Sequence, residues 1–212
     1  SVTSGTTYDA MIDSPTNANG SGTQPVGNYC VINAVAKTYG TPTYSNANLQ
    51  GNVGSAEWDA FVGTMASSTG KWYWEYSISA GGSTAQCGIC LASTNLTTID
   101  PQTRTGTILY YSNTGEKRID GAMSAYGASY TNTDLIGVAL DLTGQTVTFY
   151  KNNVSQGSIS LTGTGSANGL IMPMFVMNSA NVIVNFGQRP FTYTPPSGHQ
   201  SLCTTNLPDS TI

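Results

Sequence analysis

Residues 71–78 alternate between large apolar side chains and mostly polar ones. The apolar positions are Trp72, Trp74, Tyr76 and Ile78. A period of two with this aromatic content predicts a half-buried β-strand, with Tyr73 and Glu75 on its opposite face. Each large aromatic side chain can bury roughly 150–250 Å². We therefore expect this strand to anchor a core between two layers; an aromatic ligand platform is the alternative.

A second alternating region predicts a hairpin over residues 135–150. The inward positions are Ile136, Val138, Leu140 and Leu142 in the first strand and Val147 and Phe149 in the second. Residues 151–153 predict a tight turn, since asparagine tolerates positive φ. Further strands are predicted at 170–176 and 181–186. Ten or more short strands, Gly-rich turns and no amphipathic helical pattern predict an all-β fold, an antiparallel two-sheet sandwich.

Composition narrows the class of protein. Charged residues make up only 8% of the 212 residues and the net charge is −4, whereas a typical domain has about 25% charged residues. Gly, Ser, Thr and Asn fill the polar positions, as is common in extracellular or virion surface proteins. Lysine and arginine form no cluster, so we expect no nucleic-acid partner.

No apolar run approaches the roughly 18 residues that a membrane-spanning helix needs, so we expect no membrane insertion. The chain opens Ser1-Val2-Thr3 without a basic start or an apolar stretch. We interpret it as a processed or excised piece of a longer product.

Cys87 and Cys90 form a C-x-x-C pattern, which suggests zinc or redox chemistry. The surrounding residues read as a strand, in which positions three apart lie about 10 Å apart and face opposite sides. This exceeds the ~7 Å between Cα atoms that a disulfide tolerates. We expect structural free thiols; zinc held with Cys30, Cys203 or His199 is the alternative, although it requires four converging ligands.

The distribution of strand signals predicts three regions. Residues 1–44, rich in Gly, Asn, Thr and Pro, form an extended N-terminal arm, residues 45–202 the β-sandwich and residues 203–212 a C-terminal tail. Within the arm, the apolar island at 29–33 is a candidate edge strand. Because long irregular segments are uncommon in compact domains, we expect the arm to pack on a neighbour, such as another subunit.

Five pieces of the sequence occur in the order typical of a SPRY domain. They are GKWYWE at 70–75, CGIC at 87–90, DLIGVALD at 134–141, VTFYKNN at 147–153 and VNFGQ at 184–188. From about residue 45 to residue 202 the chain resembles this family. The resemblance implies a bent sandwich of two antiparallel sheets, of concanavalin-like jelly-roll type. Animal members carry peptide-binding residues in loops that do not align with this chain, so none is carried over.

Segments 190–198, 8–16 and 27–30 resemble the SPRY-containing tail and fibre proteins of tailed bacteriophages. This resemblance implies a non-enzymatic structural protein located on the virion, on its tail, fibre or capsid. Its expected partners are other virion subunits, including copies of itself, and a host-surface glycan or protein receptor. The alternative is a stand-alone SPRY module that recognises a peptide or a glycan and has no tie to a virion.

The sequence predicts no catalytic residues, no metal site and no cofactor. A catalytic site needs a nucleophile with a base, paired carboxylates or metal ligands. Glu57 and Asp59 are the nearest to a carboxylate pair, but we expect them on one strand face rather than across a cleft. Asp9 and Asp13 lack the spacing of a calcium loop, and we interpret His199 as a surface turn residue.

Contacts with a partner are expected in loops, because strands form the scaffold of a sandwich. The loops at 93–107 and 110–120 stand out. The second contains residue types that are enriched at binding hot spots, in a chain otherwise poor in charge. The candidate binding residues are Tyr110, Tyr111, Asn113, Lys117 and Arg118. The competing interpretation is that one tyrosine is buried by strand alternation and that the two cations are merely solvated.

Overall fold

The computed structural model describes residues 27–36, 38–54, 57–81, 84–97 and 100–207. Within these ranges the chain forms fourteen β-strands, two short 3-10 helices and no α-helix. The strands are β1 (Thr43–Ser45), β2 (Gln50–Asn52), β3 (Asp59–Val62), β4 (Lys71–Ala80), β5 (Ala85–Leu91), β6 (Thr107–Tyr111), β7 (Lys117–Ile119), β8 (Ala122–Ser124), β9 (Leu135–Asp141), β10 (Thr146–Lys151), β11 (Val154–Ser160), β12 (Ile171–Met177), β13 (Asn181–Asn185) and β14 (Gln200–Ser201). The 3-10 helices span Pro101–Thr103 and Thr204–Asn206.

The described strands form two sheets that pack face to face. The eight-stranded sheet has the order β1-β2-β13-β4-β9-β10-β11, with β14 added in parallel beside the start of β4. The six-stranded sheet has the order β3-β12-β5-β6-β7-β8. All other pairings are antiparallel, and the main apolar core lies between the sheets. The predicted all-β, two-sheet sandwich is confirmed.

Strand β4 lies in the middle of the larger sheet, between β13 and β9. The four apolar positions predicted from alternation are all buried in the main core, as expected for an anchoring strand. The opposite face differs from the half-buried strand that was predicted, because Tyr73 and Glu75 are only 2% and 1% exposed. Residues 191–193 cover them. The ring of Phe191 packs edge-on against Tyr73 with centroids 4.9 Å apart, and the backbone N–H groups of Thr192 and Tyr193 donate to the Glu75 carboxylate.

The hairpin β9–β10 and the turn after it have the predicted form. Val138 pairs with Phe149, and the inward positions of both strands are buried. Asn152 and Asn153 adopt φ values of 47° and 68°. The Asn152 side-chain oxygen accepts from the Leu135 N–H at 2.9 Å, which ties the turn back to the start of β9. Asparagine supports this turn because it tolerates the left-handed region.

The N-terminal part of the described chain is joined to the C-terminal part. Tyr29 forms an isolated bridge with Cys203, and the Cys30 N–H donates to the Leu202 carbonyl at 2.9 Å. Ile32 bridges to Gly63, so the apolar island makes single bridges rather than a continuous edge strand. Residues 1–26 of the predicted arm lie outside the described residues. The boundaries after residues 44 and 202 stay predictions, and these contacts cross both of them.

The two cysteines of the C-x-x-C pattern face opposite sides of β5, as predicted. Cys87 lies in the core between the sheets, and Cys90 lies in a second apolar cluster on the outer face of the smaller sheet. All four cysteines are buried and none forms a disulfide. Burial raises the pKa of Cys87 and of Cys90 to about 12. Among the described residues, no group of three His, Cys, Asp or Glu side chains is placed to hold a metal.

Within the described part of the chain, the structure contains no helix with the length and hydrophobicity that crossing a bilayer requires.

Candidate partner-binding surface

The outer face of the six-stranded sheet carries an apolar cluster of its own. Strand alternation turns these side chains away from the main core, and the cluster consists of Ala60, Val62, Cys90, Leu96, Leu109, Met174 and Val176. Leu96 comes from the loop after β5, and its backbone carbonyl accepts a hydrogen bond from the Tyr39 N–H at 2.7 Å. This loop, together with Ala36 and Tyr39, therefore covers one part of the face. Strands β7 and β8, at the other end of the sheet, remain partly or fully exposed.

The five predicted binding residues do not share one surface. Tyr110 is fully buried, its hydroxyl donates to the Ala128 carbonyl, and its ring lies 4.8 Å from that of Tyr130. The inclusion of Tyr110 among the binding residues was therefore wrong, because alternation turns it into the core. Lys117 pairs with Tyr110 and lies on the same side of the sheet, with its ammonium group 5.6 Å from the centre of the Tyr126 ring.

Tyr111 and Arg118 share the outer face instead. Tyr111 follows Leu109 by two positions in β6, and Arg118 is the cross-strand partner of Leu109. Both side chains are partly exposed. Asn113 is exposed in the turn that follows β6. The structure therefore brings Tyr111 and Arg118 together, places Asn113 at the adjacent turn, and separates Lys117 from them.

Trp58, which was not among the predicted binding residues, also lies on this surface. Its ring packs edge-on against Tyr111, with centroids 5.9 Å apart and an interplanar angle of 71°. Trp58 stands just before β3, which is separated from β6 by two strands. The sequence contained one hint of this position. Trp58 and Asp59 are neighbours in an extended segment, so their side chains are predicted to face opposite sides. We call Trp58, Tyr111 and Arg118 the outer-face site.

Arg118 is held at the site by weak contacts. One terminal nitrogen donates to the Gly121 carbonyl at 3.4 Å and the other lies 3.1 Å from the Met123 sulfur. Its Nε atom is buried and has no hydrogen-bond partner among the described residues. Burial lowers the pKa of Arg118, against the opposing effect of Tyr111, Asp100 and Glu116 nearby. The guanidinium is therefore partly desolvated without strong compensating bonds.

Gln86 adds a second polar group under the same face. It is the cross-strand neighbour of Tyr111 and is completely buried. Neither its amide nitrogen nor its amide oxygen has a hydrogen-bond partner within the described ranges. A buried amide in this state is costly, and it marks a position where the outer face is not optimised for stability alone.

A polar pocket of about 550 Å³ lies on the other side of β3. It is lined by Thr41, Thr43, Asn52, Gly54, Asp59 and Asn181. Asp59 is 1% exposed, whereas Glu57 is exposed. The two acids therefore differ in environment and do not resemble a pair facing each other across a cleft.

His199 is partly buried rather than a fully exposed turn residue, and burial lowers its pKa.

The family model described as the SPRY domain matches residues 71–189. The ATP-dependent RNA helicase Ddx1 of Drosophila melanogaster is 31% identical over 44% of this chain, which is 13% of that helicase. The corresponding helicase of Xenopus laevis is 26% identical over 69% of this chain and 19% of its own length. The chain thus spans less than a fifth of these relatives.

The solved structures agree in fold. The crystal structure of the SPRY domain of human HERC1 matches with a TM-score of 0.60 at 17% identity, covering 70% of this chain and 94% of that one. At this identity the likeness shows the fold alone.

The comparisons overturn the expectation of a bacteriophage protein. The matched relatives are cellular RNA helicases of eukaryotes, not tail, fibre or capsid proteins. The predictions of a virion location, of virion subunits as partners and of host-receptor binding were therefore wrong. They depended on short Gly-rich, Thr-rich and Pro-rich segments near the chain ends, which carry less information than the ordered strands of the sandwich.

Proposed function

The chain belongs to the SPRY domain family, and on this premise we propose that it is a non-catalytic module that binds a peptide segment of a partner protein. This is the second of the two functions that the sequence suggested, without the tie to a virion. The relatives are named as ATP-dependent RNA helicases, and this chain corresponds to a minor part of their length. The sequence contains no G-x-x-x-x-G-K-[ST] phosphate-binding motif. We assign the matched part to recognition rather than to ATP hydrolysis.

The observation that supports this proposal is the outer-face site. Trp58 and Tyr111 form a partly exposed edge-to-face pair, and Arg118 lies on the same face beside them. Trp, Tyr and Arg are the residue types that dominate binding energy at protein interfaces. The apolar cluster beneath them is buried, so the aromatic rings are mounted on a rigid support. Such preorganisation lowers the entropy lost on binding.

The experiment is a selection of a random peptide library, displayed on ribosomes, against the full chain. Enriched peptides are synthesised, and their affinities are measured by fluorescence polarisation for the parent, Trp58→Ala and Tyr111→Ala. Each substitution is expected to weaken binding by about tenfold or more, since hot-spot truncations cost about 2 kcal/mol or more. Tyr193→Ala is the matched control, because Tyr193 is partly exposed in the segment that covers the opposite sheet, and it should leave the affinity unchanged.

Two results would overturn the proposal. If no peptide is enriched while a glycan array gives specific binding, the module recognises carbohydrate instead. If peptides bind equally well to the parent and to both variants, recognition lies elsewhere on the chain. Melting curves of all variants accompany the measurements and separate lost binding from lost folding.

A further inference from the structure

We infer that the outer-face site recognises a carboxylate, so that its peptide ligand carries an aspartate or glutamate that pairs with Arg118. This inference rests on the proposed function and names the chemical class of its ligand. It depends on three observations: the bonding state of the guanidinium, the engagement of the neighbouring acids, and the arrangement of the aromatic rings.

The guanidinium of Arg118 has unused donor capacity. An arginine offers five N–H donors in a planar fork. Here the Gly121 carbonyl accepts at 3.4 Å, near the limit for a hydrogen bond, and the Met123 thioether is a weak acceptor. The Nε donor has no partner within the described residues although it is buried. Because Nε is buried, a ligand carboxylate would instead bridge the two terminal nitrogens, each of which keeps an N–H beyond its present contact, in the end-on bidentate geometry open to arginine.

The acids near Arg118 are engaged with other groups. Among the described residues the ion pairs within 4.0 Å are Lys71–Asp141 and Lys151–Asp134, and neither involves Arg118. An Asp100 oxygen accepts from the Gln102 amide at 3.3 Å, and a Glu116 oxygen accepts from the Thr114 hydroxyl at 2.6 Å. Asp100 and Glu116 raise the pKa of Arg118 through their negative charge, without a direct ion pair. The position for a directly bonded carboxylate is thus left to a ligand.

The aromatic neighbours of Arg118 predict which ligand residue should lie next to the ligand's acidic residue. The Trp58–Tyr111 pair lies on the same face as Arg118, so an apolar ligand side chain next to the acidic residue would pack against the rings. The net charge of the whole chain is −4, which repels acidic peptides at long range. Enrichment of acidic sequences would therefore report a local contact and not general electrostatic attraction.

The test uses the peptides from the library selection. Aspartate and glutamate should be enriched at one position relative to the input library. Affinities are then measured for the selected acidic peptide and for its Asn or Gln analogue, with the parent, Arg118→Gln and Arg118→Lys. Losing the carboxylate or the guanidinium should weaken binding about tenfold or more, and losing both should cost little beyond either loss alone. Arg118→Lys should restore binding only in part, because lysine cannot form the bidentate pair.

Arg189→Gln is the matched control. Arg189 is exposed, lies next to the opposite sheet and donates to the Val184 carbonyl at 3.4 Å; its loss should not change the affinity. If peptides are enriched without a preferred acid, or if the amide analogue binds as well as the acid, the carboxylate inference fails while the proposed function stands. If no peptide is enriched, the proposed function itself fails. Should Arg118→Gln melt early, Arg118→Lys against the acid–amide peptide pair decides the inference.

Discussion

At the scale of single residues, Trp74 is a large core side chain whose loss should be costly. It is completely buried in β4, with its ring 6.4 Å from that of Phe186. Truncation removes a large apolar area and leaves a cavity, so Trp74→Ala is expected to lower the free energy of unfolding by about 3–5 kcal/mol. Urea denaturation measures this. Val154→Ala, at a 65% exposed position, is the control and should change the value by less than about 0.5 kcal/mol; a similar small effect for Trp74→Ala would contradict the core assignment.

Substitution of Gln86, also at the scale of a single residue, is expected not to lower the free energy of unfolding. Its amide is buried without hydrogen bonds among the described residues, so replacing it by methionine removes a desolvation cost and keeps a similar volume. We expect Gln86→Met to be neutral or stabilising. The comparison is Gln145→Met, because the Gln145 amide donates to the Leu142 carbonyl at 2.7 Å and accepts from the Asn168 N–H at 2.9 Å. That variant should lose about 0.5–1.5 kcal/mol, because one of its hydrogen bonds is only partly buried and the other is exposed. Equal losses in thermal or urea melts would show that Gln86 is satisfied.

At the scale of elements, strand β4 is held on its outer face by a polar contact. The two Glu75 oxygens accept the N–H groups of Thr192 and Tyr193 at 3.0 and 2.9 Å. Glu75→Gln replaces one acceptor by a donor, so one buried N–H loses its partner. We expect a loss of about 1–3 kcal/mol and faster amide hydrogen exchange at residues 192 and 193. Glu116→Gln, in a partly exposed turn, is the control; unchanged exchange in Glu75→Gln would mean that the ring contact of Phe191 alone fixes this segment.

At the scale of the whole molecule, two ion pairs contribute to the response of stability to acid. Burial raises the pKa of Asp141, but hydrogen bonds from Lys71 and from the Gly144 N–H outweigh burial and lower it; Asp134 behaves likewise beside Lys151. A lowered folded-state pKa stabilises the fold above the unfolded-state value of about 3.9, and this stabilisation is lost as the pH falls through the folded-state value. Urea midpoints should therefore fall below about pH 4. The lowered folded-state pKa of His199 adds a loss between pH 7 and pH 5, where the unfolded chain takes up a proton that the folded chain does not.

The variant Asp141→Asn tests the origin of that acid response. It lacks one of the two titrating groups, so its stability should decline less steeply between pH 4 and pH 3 than that of the parent. A slope equal to the parent's would place the acid sensitivity on other carboxylates.

Strands β6 and β7 show how much of the binding surface the sequence could predict. The sequence identified the right region, because Tyr111 and Arg118 stand out in a chain with few charges. It grouped Tyr110 and Lys117 with them, because proximity along the chain does not show which side of a sheet a residue faces. The β6–β7 register shows it: Tyr110 pairs with Lys117 on one side, and Leu109 pairs with Arg118 on the other.

Local sequence patterns were enough to predict four features: the buried face of β4, the β9–β10 hairpin, the asparagine turn and the opposite directions of Cys87 and Cys90. Each follows from the two-residue period of a strand or from the φ preference of one residue. Two other features became visible only in the folded chain: residues 191–193 bury Tyr73 and Glu75, and Trp58 contacts Tyr111 across two intervening strands. These contacts join segments far apart in the chain, and their formation depends on strand order and packing, which no local pattern encodes.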